Sequence, residues 1–398
     1  MNRFGRALTT GALGGVLALT AACSGGAAPK AEQRVSASPS VSKTSSAVIS
    51  IEPGNGSTGV KPAGALKVSV QGGKLTEVQV TAKGGGAVPG TFTVDGAGWT
   101  PTGILAVSTE YQVDAHAVDA NGVAAGLQGG FSTLTPGKGA GPVDNIDDGG
   151  TYGVGMIVSL EFKVPVKDRA AVERAVAIDT GDGTVVKPHW FTSQRVDFRP
   201  EKYWKPQSRV TVKYRLKSVE TAPGVYGEVD KDQTFTVGRS RISTADASSK
   251  QMLVQEDGKP DETVPISAGA SSPASQNTFN GTMVVMAKEG TTVMDSSTVP
   301  NHEGAPYRVE MPHALRLTPT GTYVHGKNVD PDVFGSQNIS HGCIGLYDGP
   351  GDGSSDRPAG KFYDAAMVGD VVTVKNSVGK PVDPGNGMSG WNIAWSQW

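Results

Sequence analysis

The chain has 398 residues, enough for two or three domains that each bury a core. Its formal net charge of −2 gives no electrostatic case for nucleic acid as a partner. With 54 glycines, 25 prolines and few long helical patterns, it reads as a turn-rich, mainly β protein.

Arg3 and Arg6 form a cationic head, the run from Ala7 to Ala22 is small and apolar, and Cys23 follows at once. Residues 1–22 are therefore expected to be an export signal, too short to span a bilayer and followed by the flexible exit Ser24-Gly25-Gly26. Thr20-Ala21-Ala22-Cys23 resembles a bacterial lipobox, with Thr20 where leucine is commoner, and implies that Cys23 is diacylated and anchors the chain to the outer face of the cell membrane. The other reading is an ordinary signal peptide with an incidental cysteine. An anchor role for Cys23 leaves Cys343, the only other cysteine, unpaired in an oxidising compartment, so its thiol chemistry is expected to be in use.

Residues 23–46 are Ser, Ala, Gly, Pro, Lys and Gln with almost no large apolar side chains, the composition of a tether. Short β-type runs follow in 47–137, at Leu66–Val70, Leu75–Ala82, Thr91–Val94 and Tyr111–Val118. Residues 138–238 have the same texture, with Val210, Val212, Tyr214 and Leu216 alternating against polar neighbours. Trp99-Thr100-Pro101 before Tyr111 parallels Phe198-Arg199-Pro200 before Val210 at a constant offset of 99 residues. Two tandem immunoglobulin-like sandwiches are expected, with one helix from Asp168, as cap, to Val176.

From 239 to 376 the composition shifts towards Met, Ser, Thr and His. Strands are expected at Gln251–Gln255, Thr282–Ala287, Tyr323–Gly326 and Val371–Lys375, and a helix around Lys361–Val368. The tail, 377–398, ends with Trp391, Trp395 and Trp398, which would form a large exposed apolar patch unless packed back on the body.

The chemistry concentrates in Ser340-His341-Gly342-Cys343 and in His325-Gly326 at the end of an expected strand. A thiol with an ordinary pKa is only a few per cent thiolate at neutral pH, so an imidazole within hydrogen-bond reach is the usual activator. Both His325 and His341 qualify, and proximity in sequence does not choose between them. Gly342 lets main-chain amides beside the nucleophile approach a developing oxyanion.

The pattern His325-x14-Ser340-His341-Gly342-Cys343 resembles the L,D-transpeptidases with a YkuD-type catalytic domain. With the paired sandwiches, the flap-like Met294-Asp295-Ser296-Ser297-Thr298, Tyr307-Arg308 and the Trp-rich tail, it is similar to the actinobacterial lipid-anchored members. That resemblance implies that Cys343 attacks the meso-diaminopimelate carbonyl of a donor tetrapeptide stem and releases D-alanine. An acceptor stem amine then resolves the thioester as a 3→3 cross-link. It implies His325 as general base oriented through the Gly326 carbonyl, His341 beside the thioester, and the amides of Gly342 and Cys343 as oxyanion hole. Met294, Tyr307, Thr320 and Gly321 would contact substrate. Partners would be peptidoglycan stems, the membrane through the anchor, and carbapenem β-lactams as covalent inhibitors; no metal, ATP or other cofactor is implied. One departure is Gly345, two residues after the cysteine, where the family often has Asn or Arg, so a donor contact is missing. His302 and His313 match nothing catalytic and are expected to be surface or structural.

Two rival readings remain at this stage. A zinc hydrolase using His325, His341 and Cys343 fits the spacing poorly, and neither His-Glu-x-x-His nor Cys-x-x-Cys occurs. A non-catalytic wall-binding scaffold would explain Gly345 but not the retention of both nucleophile and base.

Overall fold

The computed structural model describes residues 44–139, 141–298, 303, 306–350 and 354–398. The expected signal peptide, Cys23, the tether up to residue 43, and His302 lie outside them. Among the described residues no helix is long and apolar enough to cross a membrane.

Alternation builds the first sandwich: Val68 and Val70 on one strand and Val113, Ala115 and Ala117 on another turn inward while their neighbours face water. Its sheets run Val48–Glu52, Lys67–Gln71, Gly98–Pro101, Gly90–Phe92 and Ser57–Val60, Ala124–Thr133, Glu110–Asp119, Gly73–Ala82 in spatial order. The second sandwich has sheets Pro142–Asp144, Val158–Phe162, Arg195–Pro200, Val186–Trp190 and Thr151–Tyr152, Asp230–Val237, Arg209–Arg215, Val176–Asp179. The sequence repeat is thus a structural one. The strands of Trp99 and Phe198 both stand third in their sheets, and so do those of Tyr111 and Val210. The helix is Arg169–Ala175, capped by Asp168, whose carboxylate accepts the Ala171 amide at 2.9 Å.

The third module stacks two sheets. One runs Glu262–Pro265, Gln251–Glu256, Arg241–Asp246, Val371–Lys375, Gly281–Val284; the other runs Ala287–Asp295, Arg308–Arg316, Tyr323–Lys327, Ile344–Tyr347. Met252, Val254 and Met283 from the first meet Leu315, Val324, Ile344 and Leu346 from the second in one core, each buried side chain contributing about 1.5–3 kcal/mol. Two expectations shift here. The run from Thr282 is not one strand, because the chain changes sheets at Val285 and Met286, whose amides bond to Asp370 and Arg316 carbonyls respectively. The helix is Pro358–Ala365, starting before Lys361 because Pro358 supplies the fixed φ of a first helical residue.

Second sandwich and third module share a core: Val284, Val371 and Met388 pack with Met156, Ile157 and Trp204. Gly153 and Gly155 bond through their amides to the carbonyls of Val368 and Gly369, both at 2.8 Å. The tail lies across this junction. Trp391 donates to Gly155 O at 2.8 Å, Trp398 donates to Lys187 O at 2.9 Å, and Arg199, 2 % exposed, sits 4.2–5.5 Å from the rings of Trp391, Trp395 and Trp398.

Candidate active site

The strand Tyr323–Lys327 leaves the turn Thr318–Thr322 and pairs in parallel with Ile344–Tyr347, placing His325 beside Gly345 and Val324 beside Ile344. Val324, Ile344 and Leu346 point into the core, so by strand alternation Tyr323, His325 and Lys327 share the other face with Cys343 and Gly345. Core burial on one face thus fixes which side chains line the site on the other.

Cys343 is 7 % exposed and packs against Ala314, Tyr323 and Met294. Its thiol donates to Gly321 O at 3.6 Å rather than to an imidazole. Burial pushes it up to about 11, opposed by a Tyr323 backbone hydrogen bond and the charge of Lys327. His325 is 3 % exposed, and its Nδ1 lies 2.9 Å from Gly326 O. A carbonyl can only accept, so Nδ1 carries the proton and Nε2 is left as a basic lone pair. Burial lowers His325 to about 4, opposed by the Gly326 carbonyl and reinforced by Lys327. Thiol and imidazole are therefore both neutral at rest near pH 7.

Met294 and Ala314 of the hairpin formed by Ala287–Asp295 and Arg308–Arg316 pack against Cys343. Tyr307 stacks on the His341 ring with centroids 4.4 Å apart, its amide bonds to Ser296 Oγ at 3.0 Å, and Glu303 bonds through its amide to Ser275 Oγ at 3.0 Å. His341 is exposed, unlike His325. Ser340 is buried, its hydroxyl donating to Cys343 O at 2.6 Å and accepting from the Gly342 amide at 3.3 Å. It shapes the turn, in which Gly342 has a φ of +108° that disfavours any other residue. The Gly342 amide must exchange that bond before it can serve an oxyanion. Thr320 is exposed and accepts from Asn386 of the tail segment at 2.8 Å, whereas Gly321 turns its carbonyl to the thiol.

Two residues escaped the sequence reading, Asp348 and Lys327. A Cβ on Gly326 would stand 2.3 Å from Asp348 Oδ2, so glycine is required by the packing under the base and is not merely tolerated. Asp348 is buried, which raises its pKa, and is held by His313 Nδ1 at 3.0 and 3.1 Å from its two oxygens. His313 is thus structural, in a left-handed conformation with φ of 51°. No local pattern announces this contact. Lys327 did have a signal: it stands two residues after His325 on a strand, hence on the same face. Among the described residues no three His, Cys, Asp or Glu side chains come together as a metal site.

The L,D-transpeptidase catalytic domain family, YkuD, matches residues 240–374, and the bacterial Ig domain family matches 57–220, across both sandwiches. L,D-transpeptidase 2 of Mycobacterium tuberculosis (strain CDC 1551 / Oshkosh) is 32% identical over 346 residues, covering 86% of this chain and 82% of that protein. L,D-transpeptidase 5 of M. tuberculosis (strain ATCC 25618 / H37Rv) is 28% identical over 400 residues, 99% of this chain and 84% of that one. The structure of LD transpeptidase LdtMt1 in complex with imipenem aligns over 60% of this chain and 99% of that chain, with 31% identity and a TM-score of 0.49. With two sandwiches leading into a YkuD module, and with that extent of shared sequence, the chain belongs to the L,D-transpeptidase family and is a peptidoglycan transpeptidase.

Proposed function

We propose that Cys343 is the nucleophile and His325 the base of a two-step acyl transfer that makes 3→3 cross-links. The observation that carries this is that a thiol and an imidazole share one sheet face, with imidazole Nδ1 donating to the Gly326 carbonyl so that Nε2 can accept a proton. Because both groups start neutral, the proton leaves Sγ for Nε2 as sulfur attacks the diaminopimelate carbonyl, instead of beforehand. The tetrahedral oxyanion then collapses, the C–N bond to D-alanine breaks, and the imidazolium returns its proton to the departing amine. The diaminopimelate amine of a second stem attacks the thioester, His325 takes its proton, and the thiol re-forms when that proton reaches sulfur. The thioester conserves the energy of the broken amide, so no ATP is required.

In this reading the hairpin lifts from Cys343, 7 % exposed, before a donor enters, and Tyr307, stacked on His341, holds the donor when it returns. The same activated sulfur would open a carbapenem ring and keep it as a stable acyl-enzyme. Cys23 is read as the lipidated N-terminus that holds the enzyme at the outer face of the cell membrane. A mature wild-type N-terminus lacking a diacylglyceryl mass would remove that part.

Intact-protein mass spectrometry tests the chemistry. Full-length protein is incubated with a disaccharide-tetrapeptide or a carbapenem, alongside Cys343→Ala and His325→Ala. Adducts only where Cys343 is retained, slowed in His325→Ala, together with a product linked between two diaminopimelates, are expected. Folded wild-type protein that gains neither adduct nor product sinks the reading.

A further inference from the structure

Lys327 is a charged group on the working face that the reaction described above leaves unused. It follows His325 by two residues on the same strand, and the parallel register carries it past Gly345 on the neighbouring strand. A Cβ on Gly345 would lie 3.8 Å from Lys327 Cβ, 3.8 Å from Phe334 Cε1 and 3.4 Å from Ser267 O, ordinary contact distances. Room for a Cβ therefore exists at 345, and it borders the lysine stem. Position 345 carries no side chain and is flanked by a cation from the next strand.

Lys327 is half-buried, and among the described residues no carboxylate forms an ion pair with it. Burial lowers its pKa, opposed only through its coupling to Cys343 when that thiol ionises. A partly desolvated ammonium without a counter-ion is costly, and that cost falls when an anionic ligand arrives. In a tetrapeptide donor the carboxylate nearest the scissile bond belongs to the leaving D-alanine, three bonds from the attacked carbonyl carbon. The free carboxyl of diaminopimelate is at the far end of its side chain.

We propose that the Lys327 ammonium, on the strand beside Gly345, binds the C-terminal carboxylate of the leaving D-alanine. Lys327 is thereby a specificity residue for tetrapeptide donors. In a pentapeptide stem the terminal carboxylate lies one residue farther from the attacked carbonyl, about 3.3–3.6 Å along an extended chain, and misses it. The inference rests on the acyl-transfer reading given above.

The test compares a disaccharide-tetrapeptide with the same donor ending in a D-alanine carboxamide. Release of D-alanine or D-alaninamide is followed with full-length wild type, Lys327→Met and Lys327→Arg. Wild type is expected to prefer the acid by about tenfold or more in kcat/KM, mostly through KM. Lys327→Met should bring the ratio of acid to amide close to one, whatever it does to the common rate through the Lys327 charge felt by Cys343 and His325, and Lys327→Arg should keep most of the preference. A lysine that only supported the fold would slow both donors alike. A wild-type ratio near one overturns the proposal without reference to any variant, and so does an undiminished ratio in Lys327→Met. If wild type releases D-alanine from neither donor, the acyl-transfer reading falls, and this one with it.

Discussion

Gly326→Ala probes how the base is held. The new Cβ would meet Asp348 Oδ2 at 2.3 Å, Cγ at 2.7 Å and Cβ at 3.0 Å. Restoring ordinary contact takes a relative shift of about 1 Å. Asp348 cannot simply rotate away, because His313 grips both its oxygens at 3.0 and 3.1 Å. The shift therefore falls largely on the Gly326 backbone, whose carbonyl fixes His325 Nδ1 at 2.9 Å. A displacement of that size in a catalytic group costs about a hundredfold in rate, and overpacking adds about 1–3 kcal/mol of destabilisation. The assay is the rate of Cys343 acylation by a tetrapeptide, with circular dichroism and thermal melting on the same sample. Adding Asp348→Ala removes the two closest contacts and leaves only Cβ at 3.0 Å, so the double variant should acylate faster than Gly326→Ala alone, a coupling that independent sites would not show. A folded Gly326→Ala enzyme within about threefold of the wild-type rate would refute the reasoning.

Two further outcomes follow from burial. His325 falls from 6.5 to about 4 on folding, so its contribution to stability is complete above pH 6.5 and is lost as pH drops towards 4, roughly 3 kcal/mol in all. The thermal midpoint should fall across that window, and less steeply in His325→Gln; equal slopes would show that the imidazole is not buried neutral. Deleting residues 390–398 strips Arg199 of its 2.7 Å bond to Ile393 O and of three indole faces at 4.2–5.5 Å. The expected loss is about 2–4 kcal/mol, read as a fall of several degrees in the melting transition, and an unchanged melt would rule out a bracing role for the tail.

Much of this architecture is written locally. The alternation Val210, Val212, Tyr214, the Asp168 cap and the repeat at an offset of 99 each concern residues within one element or one repeat, and all three have counterparts in the structure. The pairing of a cysteine with a preceding histidine is legible for the same reason, since it is a spacing. The strands Arg308–Arg316 and Ile344–Tyr347 were not legible. The first contains a proline, a register irregularity and a left-handed His313; the second is four residues long and includes Gly345. Such segments become strands because neighbours from elsewhere supply their hydrogen bonds.

The sequence by itself determined the fold class, the repeat and the likeness of the third module to a cysteine acyltransferase, because periodicity and spacing are properties of the chain. Only the tertiary structure chose between His325 and His341 as the histidine buried on the nucleophile's sheet face. It also set Asp348 beneath Gly326, ran Lys327 past the empty position at 345, and covered Cys343 with a hairpin. Those relations depend on burial and close approach between segments distant in sequence, and no local pattern carries them.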